Sequence, residues 1–114
     1  MIGVKVIYLM SRPIDLLLID IDIPKEFWEK HLSDIFEQKI RFCSSYLDNK
    51  VDRYIIKESR NGNVHVYVYL SRPIASFGFY ARFKYCLGED HKRLALDLRR
   101  YKTWGKIVQF FWTK

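Results

Sequence analysis

The chain has 114 residues, of which 49% are hydrophobic and 17% aromatic, and it carries a net charge of +7. That length suits a single core, so we predict one domain over residues 1–114. The composition excludes a disordered or low-complexity chain, and no apolar run is long enough to span a membrane. The first residues lack the basic segment and the cleavage site of a signal peptide, so we expect an intracellular protein.

The hydrophobic pattern first predicts two strands and a helix. Val4–Met10 alternates and predicts a short strand. Asp15–Asp22 is a second, more aliphatic strand, which we expect at the centre of a sheet. Pro24 suits the first turn of a helix. Apolar residues then recur at steps of three and four, which predicts one long amphipathic helix to about Leu47.

The rest of the chain predicts a hairpin, two helices and a final strand. Asp52–Ser59 and Val64–Ser71 alternate on either side of Asn61-Gly62, a pair that favours a tight hairpin turn. The later elements are helices over Ile74–Gly88 and Glu89–Tyr101 and a strand over Gly105–Lys114. The order β-β-α-β-β-α-α-β is typical of the α+β class. It predicts a ferredoxin-like or palm fold with a split βαβ arrangement, in which helices cover one face of an antiparallel sheet.

Cys43 and Cys86 are the two cysteines. Two thiols so far apart do not match a zinc site, which needs four ligands at closer spacing. For an intracellular chain we expect two reduced thiols in the core, with a disulfide as the alternative.

The positive charge is concentrated at the C-terminal end. Residues 82–114 hold nine Lys and Arg against three acidic residues. Such an excess favours a polyanionic partner, most simply DNA or RNA. The residues expected to contact phosphates are Arg93, Arg99, Arg100 and Lys102.

Strand periodicity places several polar side chains on the sheet face without helices. Asp20 and Asp22 share that face, because side chains alternate along a strand. In the hairpin, His65, Tyr67 and Tyr69 lie opposite the valine face and therefore join them. Two carboxylates two residues apart can hold Mg²⁺ or Mn²⁺ with water and phosphate, and tyrosines can stack on bases. The alternatives are solvated aspartates, a structural histidine and tyrosines that form a homodimer interface.

Three short motifs occur in an order that resembles the archaeo-eukaryotic primase and primase-polymerase superfamily. "LLIDID" matches its Asp-x-Asp motif with Asp20 and Asp22, "SRNGNVH" offers His65, and "LALD" offers Asp97. The resemblance implies that the aspartates hold divalent metal and that His65 contacts the phosphates of an incoming nucleotide. This sequence departs from the family at Val64, where a small residue is expected, and at Asp97, which lies in an Arg-rich helical pattern. Asp97 could there pair with Arg93 or Arg100.

These observations leave three functions open. The first is a minimal or degenerate primase-like nucleotidyltransferase that uses Mg²⁺ or Mn²⁺. The second is a non-enzymatic, dimeric protein of ferredoxin-like fold that binds nucleic acid or assembles. The third is a degenerate rolling-circle replication nickase, for which Tyr80 or Tyr101 would be the nucleophile. The chain also resembles the small single-domain proteins of crenarchaeal viruses and plasmids, which would place it in the host cytoplasm.

Overall fold

The computed structural model describes residues 4–10, 14–74 and 76–112. The α+β class is confirmed. The elements within those residues are β1 (Val4–Met10), β2 (Ile14–Pro24), α1 (Lys25–His31), α2 (Ser33–Tyr46), β3 (Val51–Glu58), β4 (Asn63–Ile74), α3 (Phe77–Leu87), α4 (His91–Trp104) and β5 (Ile107–Trp112).

The helix predicted to run unbroken to Leu47 is divided at Leu32. Its backbone leaves the helical region at φ −125° and ψ −14°, which separates α1 from α2. Trp28 of α1 and Phe36 of α2 are both buried and meet edge to face, with ring centroids 5.5 Å apart. The change of direction therefore accompanies a packing in which both helices bury an aromatic ring.

The predicted hairpin is confirmed between β3 and β4. Gly62 has φ +84°, a conformation that costs glycine little, whereas Asn61 does not have a positive φ. The Ser59 hydroxyl accepts hydrogen bonds from the backbone N–H groups of Asn61 and Asn63, at 3.3 and 2.9 Å. This turn holds the hairpin beside the end of β2.

The strands form two antiparallel sheets rather than one. The larger sheet has the order β2-β4-β3, so β4 is its central strand and β2, which we expected at the centre, is at an edge. β5 pairs with β1 in a separate two-stranded sheet. The arrangement of β2, β4 and β3 follows the split βαβ order, but β5 does not extend their ladder.

Side chains and one backbone N–H form hydrogen bonds with the outer edge of β2, which carries no neighbouring strand of the larger sheet. The amide of Gln109 accepts from the Leu18 N–H at 2.9 Å and donates to the Leu16 carbonyl at 2.7 Å. Two residues further along β2, the Glu89 carboxylate accepts a hydrogen bond from the Asp20 N–H at 2.6 Å, and the Asp90 N–H donates to the Asp20 carbonyl at 3.1 Å. The edge groups therefore have partners without a strand ladder, as buried backbone groups require.

The core lies between the larger sheet and helices α1 to α3. The sheet contributes an aliphatic face, and the helices contribute aromatic and aliphatic side chains. Its fully buried members include Leu17, Ile19, Val64, Val66, Val68, Cys43, Tyr80 and Leu87. Burial of each large aliphatic side chain contributes about 1.5–3 kcal/mol, so this face fixes the register of β2 against β4.

The expectation of two reduced thiols is wrong. Cys43 of α2 and Cys86 of α3 form a disulfide, with an S–S distance of 2.10 Å and Cα atoms 5.9 Å apart. The two helices pack side by side over the same sheet face, and this brings together cysteines 43 residues apart in sequence. That proximity depends on tertiary packing, which the spacing of the cysteines does not reveal.

The second face of the larger sheet is only partly open. Leu16 and Leu18 are buried there, with Tyr67 and Tyr69 packed against them. The polar residues lie toward the end of the sheet near the hairpin turn. Within the described ranges, no helix is long and apolar enough to cross a membrane.

Candidate functional site

A polar cleft lies where the end of β2 meets the hairpin turn and the start of α4. Antiparallel pairing sets Asp20 directly opposite His65. The cleft has a volume of about 560 Å³. It is lined by Asp20, Asp22, Ser59, Arg60, Asn61, Asn63, His65, Asp90 and Arg93. Three predicted site residues on β2 and β4 therefore come together, and one predicted arginine joins them.

Asp20 is at the centre of this cleft. Its Oδ1 atom lies 3.7 Å from His65 Nε2, and its Oδ2 atom lies 3.8 Å from Arg93 Nε. The side chain is 24% exposed. These separations exceed hydrogen-bond length, so a small ligand or ion could approach the carboxylate without breaking a short hydrogen bond to either residue.

The surroundings of Asp20 disfavour its negative charge. Burial is the main cause that raises the pKa of this carboxyl to about 6; Arg93 lowers the pKa, and the carboxylates of Glu89, Asp22 and Asp90 raise it. Desolvation and like charges both act against the ionised form. A cation bound at this point would relieve that unfavourable charge.

The pKa of His65 is shifted in the opposite direction to that of Asp20. Burial, and then the positive charge of Arg93, lower the pKa of the imidazole to about 4. His65 is therefore neutral near pH 7, and its approach to Asp20 is a polar contact rather than an ion pair. A neutral imidazole can donate one hydrogen bond and accept another, which suits contact with a phosphate or a hydroxyl.

Asp22 is exposed and tied to the hairpin turn. Its Oδ1 atom accepts a hydrogen bond from Asn63 Nδ2 at 2.8 Å. Asp20 and Asp22 thus offer two carboxylates to one cleft, as predicted. Over the part of the chain that the structure describes, no three or more His, Cys, Asp or Glu residues are grouped closely enough to hold a metal ion.

The structure places Asp97 away from this cleft, in a buried ionic cluster. Asp97 Oδ2 accepts hydrogen bonds from the Tyr80 hydroxyl at 2.8 Å and from Lys84 Nζ at 3.2 Å. Its Oδ1 atom lies 3.5 Å from Arg100, so the predicted helical pairing with Arg100 is present. Lys84 also contacts Glu89 at 2.8 Å, and this links the cluster to the backbone of Asp20.

Lys84 and Glu89 were not among the predicted site residues, and the structure buries both side chains fully. Buried charges require partners, and here each is paired within the cluster. The signal available in "CLGEDHKR" is a glycine that ends a helix followed at once by two acids. Only the folded chain shows that the first acid turns inward to β2 and the second, Asp90, begins α4.

The two predicted tyrosines occupy the second sheet face, each with a cation over its ring. The Arg53 guanidinium lies 4.0 Å from the centroid of Tyr69, and Lys57 Nζ lies 5.4 Å from the centroid of Tyr67. Both tyrosines are half-buried. A base that stacked on either ring would have to displace or share these cations.

The four predicted basic residues have different surroundings. Arg93 lines the polar cleft, and Arg100 is directed toward Asp97. Arg99 and Lys102 are exposed on α4. These two remain free to meet a polyanion in solvent.

Neither tyrosine suggested as a nucleophile lies in the polar cleft. Tyr80 is fully buried and donates to Asp97, and burial together with the Asp97 charge raises its pKa well above its ordinary value. Tyr101 stacks on Phe77, with ring centroids 4.7 Å apart.

Comparisons with protein-family models, curated proteins and solved structures find no match to this chain.

Proposed function

We propose that this chain is a nucleic-acid-associated domain whose polar cleft binds Mg²⁺ or Mn²⁺ together with the phosphates of a nucleotide, as a minimal primase-like nucleotidyltransferase. The proposal rests on one observation. The Asp20 carboxylate approaches His65 at 3.7 Å and Arg93 at 3.8 Å in the cleft that also contains Asp22. Acidic residues that suit a cation and basic residues that suit a phosphate therefore meet in one place.

The chemistry of the carboxylates supports a hard cation. Mg²⁺ is commonly held by one or two carboxylates, with water and substrate phosphate completing its octahedron. Asp20 and Asp22 supply oxygen ligands of that kind. The raised pKa of Asp20 indicates that its surroundings disfavour its negative charge, and a divalent cation would stabilise that charge.

The other residues of the cleft suit phosphate groups. Arg60 and Arg93 are guanidinium donors, which match phosphate oxygens in geometry and charge. Neutral His65 can donate a further hydrogen bond. In a nucleotidyl transfer a bound divalent cation supplies charge neutralisation of the triphosphate. Asp20 and Asp22 would position that cation, while His65 and Arg93 would orient the phosphates. This function places the protein inside a cell.

Calorimetric titration with Mn²⁺ tests the cation site. The wild type is compared with Asp20→Asn/Asp22→Asn and with Asp15→Asn, which removes an exposed carboxylate at the other end of β2. We expect saturable binding by the wild type and by Asp15→Asn, and its loss in the double variant. If the folded wild type does not bind Mn²⁺, the proposal is wrong. Nucleotide binding and primer extension in Mn²⁺ then test the transfer activity.

One observation favours a second function, a non-enzymatic nucleic-acid-binding or assembly protein. Asp97, the third acidic position in the primase resemblance, is held by Tyr80, Lys84 and Arg100. Under this function the exposed Arg99 and Lys102 contact phosphates and a homodimer forms. This second function predicts that the protein binds DNA without a divalent cation and that the binding depends on salt. Arg99→Gln/Lys102→Gln should weaken that binding, and sedimentation should show a dimer.

A further inference from the structure

A groove surrounds the C-terminal end of α2 and continues to the start of α3. It consists of two adjoining clefts of about 760 and 590 Å³, which share Asp48, Asn49 and Arg72. We call this surface the α2-end groove. Its exposed basic and aromatic residues are Arg41, Tyr46, Lys50, Arg72, Phe79 and Arg82. None of the residues that line it belongs to the polar cleft around Asp20.

The α2-end groove is strongly positive. Its four cations, Arg41, Lys50, Arg72 and Arg82, are all exposed. Asp48 is the single acid among the described lining residues, which leaves a formal net charge of +3. Its carboxylate lies 3.6 Å from Arg72, but both side chains are exposed, and such pairs are weak. The groove therefore attracts an anion with several charges.

Aromatic rings stand among these cations. Tyr46 of α2 is 74% exposed and Phe79 of α3 is 48% exposed, and both line the larger cleft. Phe42 stacks on Tyr46 in nearly parallel planes, with centroids 5.9 Å apart. The Arg82 guanidinium lies 5.8 Å from the centroid of Phe79. Exposed rings interleaved with arginines are typical of platforms on which unpaired bases stack.

The floor of the groove is held in place by hydrogen bonds. Asn49 is buried, and its amide donates to the Arg72 carbonyl at 2.8 Å and accepts from the Arg72 N–H at 3.2 Å. The Ser71 N–H donates to the Lys50 carbonyl at 2.8 Å. The disulfide between Cys43 and Cys86 joins the two helices that form the walls. The backbone that carries Lys50 and Arg72 is thus fixed before any ligand binds.

We propose that the α2-end groove is a binding site for single-stranded nucleic acid, separate from the polar cleft. The four cations contact the phosphates, and Tyr46 and Phe79 stack on bases. A second copy of this chain is the less suitable occupant, because a twofold contact would bring two grooves of the same positive charge together. A single strand supplies the negative charge that this surface lacks and flat bases that can stack on its aromatic rings.

Fluorescence anisotropy with a labelled oligothymidylate in EDTA tests the site without any divalent cation. Tyr46→Ala is compared with Tyr85→Ala, which removes an exposed tyrosine of α3 that does not line the groove. We expect Tyr46→Ala to weaken binding about 5- to 150-fold, the range for one stacked base, and Tyr85→Ala to leave it unchanged. Arg72→Gln/Arg82→Gln should reduce the salt slope by about 1.4, because each single-strand phosphate contact contributes about 0.7. Lys30→Gln, an exposed cation of α1, should not change it.

The outcomes distinguish this site from the polar cleft. Asp20→Asn/Asp22→Asn should bind the oligothymidylate as the wild type does, even if the cation site fails its own test. The proposal is overturned if the wild type does not bind the oligothymidylate, or if the two tyrosine variants weaken binding equally. It is also overturned if Tyr46→Ala leaves oligothymidylate binding intact but dissociates a dimer in sedimentation, since the groove would then be an interface between copies.

Discussion

Asp20 and His65 should make opposite contributions to the pH dependence of stability. The pKa of Asp20 rises from 3.8 to about 6 in the folded chain, so its contribution to stability is lost as pH increases from about 4 to 6. The pKa of His65 falls from 6.5 to about 4, so its contribution increases as pH rises from about 4 to 6.5. In the wild type the two slopes nearly cancel, and single substitutions should reveal each of them.

The expected magnitude follows from the size of the pKa shifts. Each shift is slightly more than two pKa units, and one unit corresponds to about 1.4 kcal/mol. Without any allowance for screening by solvent, each residue would therefore change the free energy of unfolding by about 3 kcal/mol. Because Asp20 is 24% exposed and its charge is partly screened by solvent, we expect about 1–2 kcal/mol for Asp20. His65 is more buried and should give a value nearer the upper end of this range.

Urea denaturation of Asp20→Asn and His65→Gln between about pH 4 and 8 measures these slopes. Relative to the wild type, the free energy of unfolding of Asp20→Asn should rise between pH 4 and 6, because a charge that folding disfavours is absent. Relative to the wild type, the free energy of unfolding of His65→Gln should fall between pH 4 and 6.5. The variant lacks a histidine whose protonation opposes folding, and this advantage exists only at a pH where the unfolded histidine is protonated. Asp15→Asn reports the effect of a carboxylate outside the cleft. Two flat difference curves, or two of the same sign, would refute the assignment of these environments.

Two further predictions concern the buried framework. Cys43→Ser/Cys86→Ser should lower the free energy of unfolding by about 4 kcal/mol, the loop entropy for a separation of 43 residues; a denaturant midpoint that reductant does not change would contradict the disulfide. Lys84→Met should cost about 3–5 kcal/mol, because it leaves Glu89 and Asp97 buried without their ammonium partner. Thermal unfolding measures this cost beside Lys92→Met, an exposed lysine of α4, and a loss equal to that control would refute it.

Local patterns predicted the strands and the faces of the hairpin, but they did not predict the division of the first helix at Leu32. Alternation along β2 and β4 placed the aliphatic side chains toward the helices and Asp20, His65, Tyr67 and Tyr69 on the other side, as the structure has them. These features are predictable because side-chain direction in a strand depends only on the parity of the position. Gly62 was predictable for a similar reason, since its positive φ is a local requirement.

Features that depend on distant parts of the chain were not predictable. Periodicity identified β5 as a strand but did not show which strand it pairs with, and the Gln109 amide takes the place of a ladder on β2. Cys43 and Cys86 meet because two helices pack on one face. Asp97 was predicted from the order of motifs in the primase resemblance, and only the packing of α4 on α3 shows that Lys84 and Tyr80 hold it.

The position of Asp20 connects the backbone pairing of β2 to the charge of its side chain. As an edge strand, β2 needs partners for its outer N–H and carbonyl groups, and at Asp20 these come from Glu89 and Asp90. The same two acids help to raise the pKa of the Asp20 carboxyl. Completing the edge of the sheet thus concentrates negative charge in a cleft that also contains His65 and Arg93. Structure and electrostatics are linked at this residue, because the groups that pair with its backbone also disfavour the negative charge of its side chain.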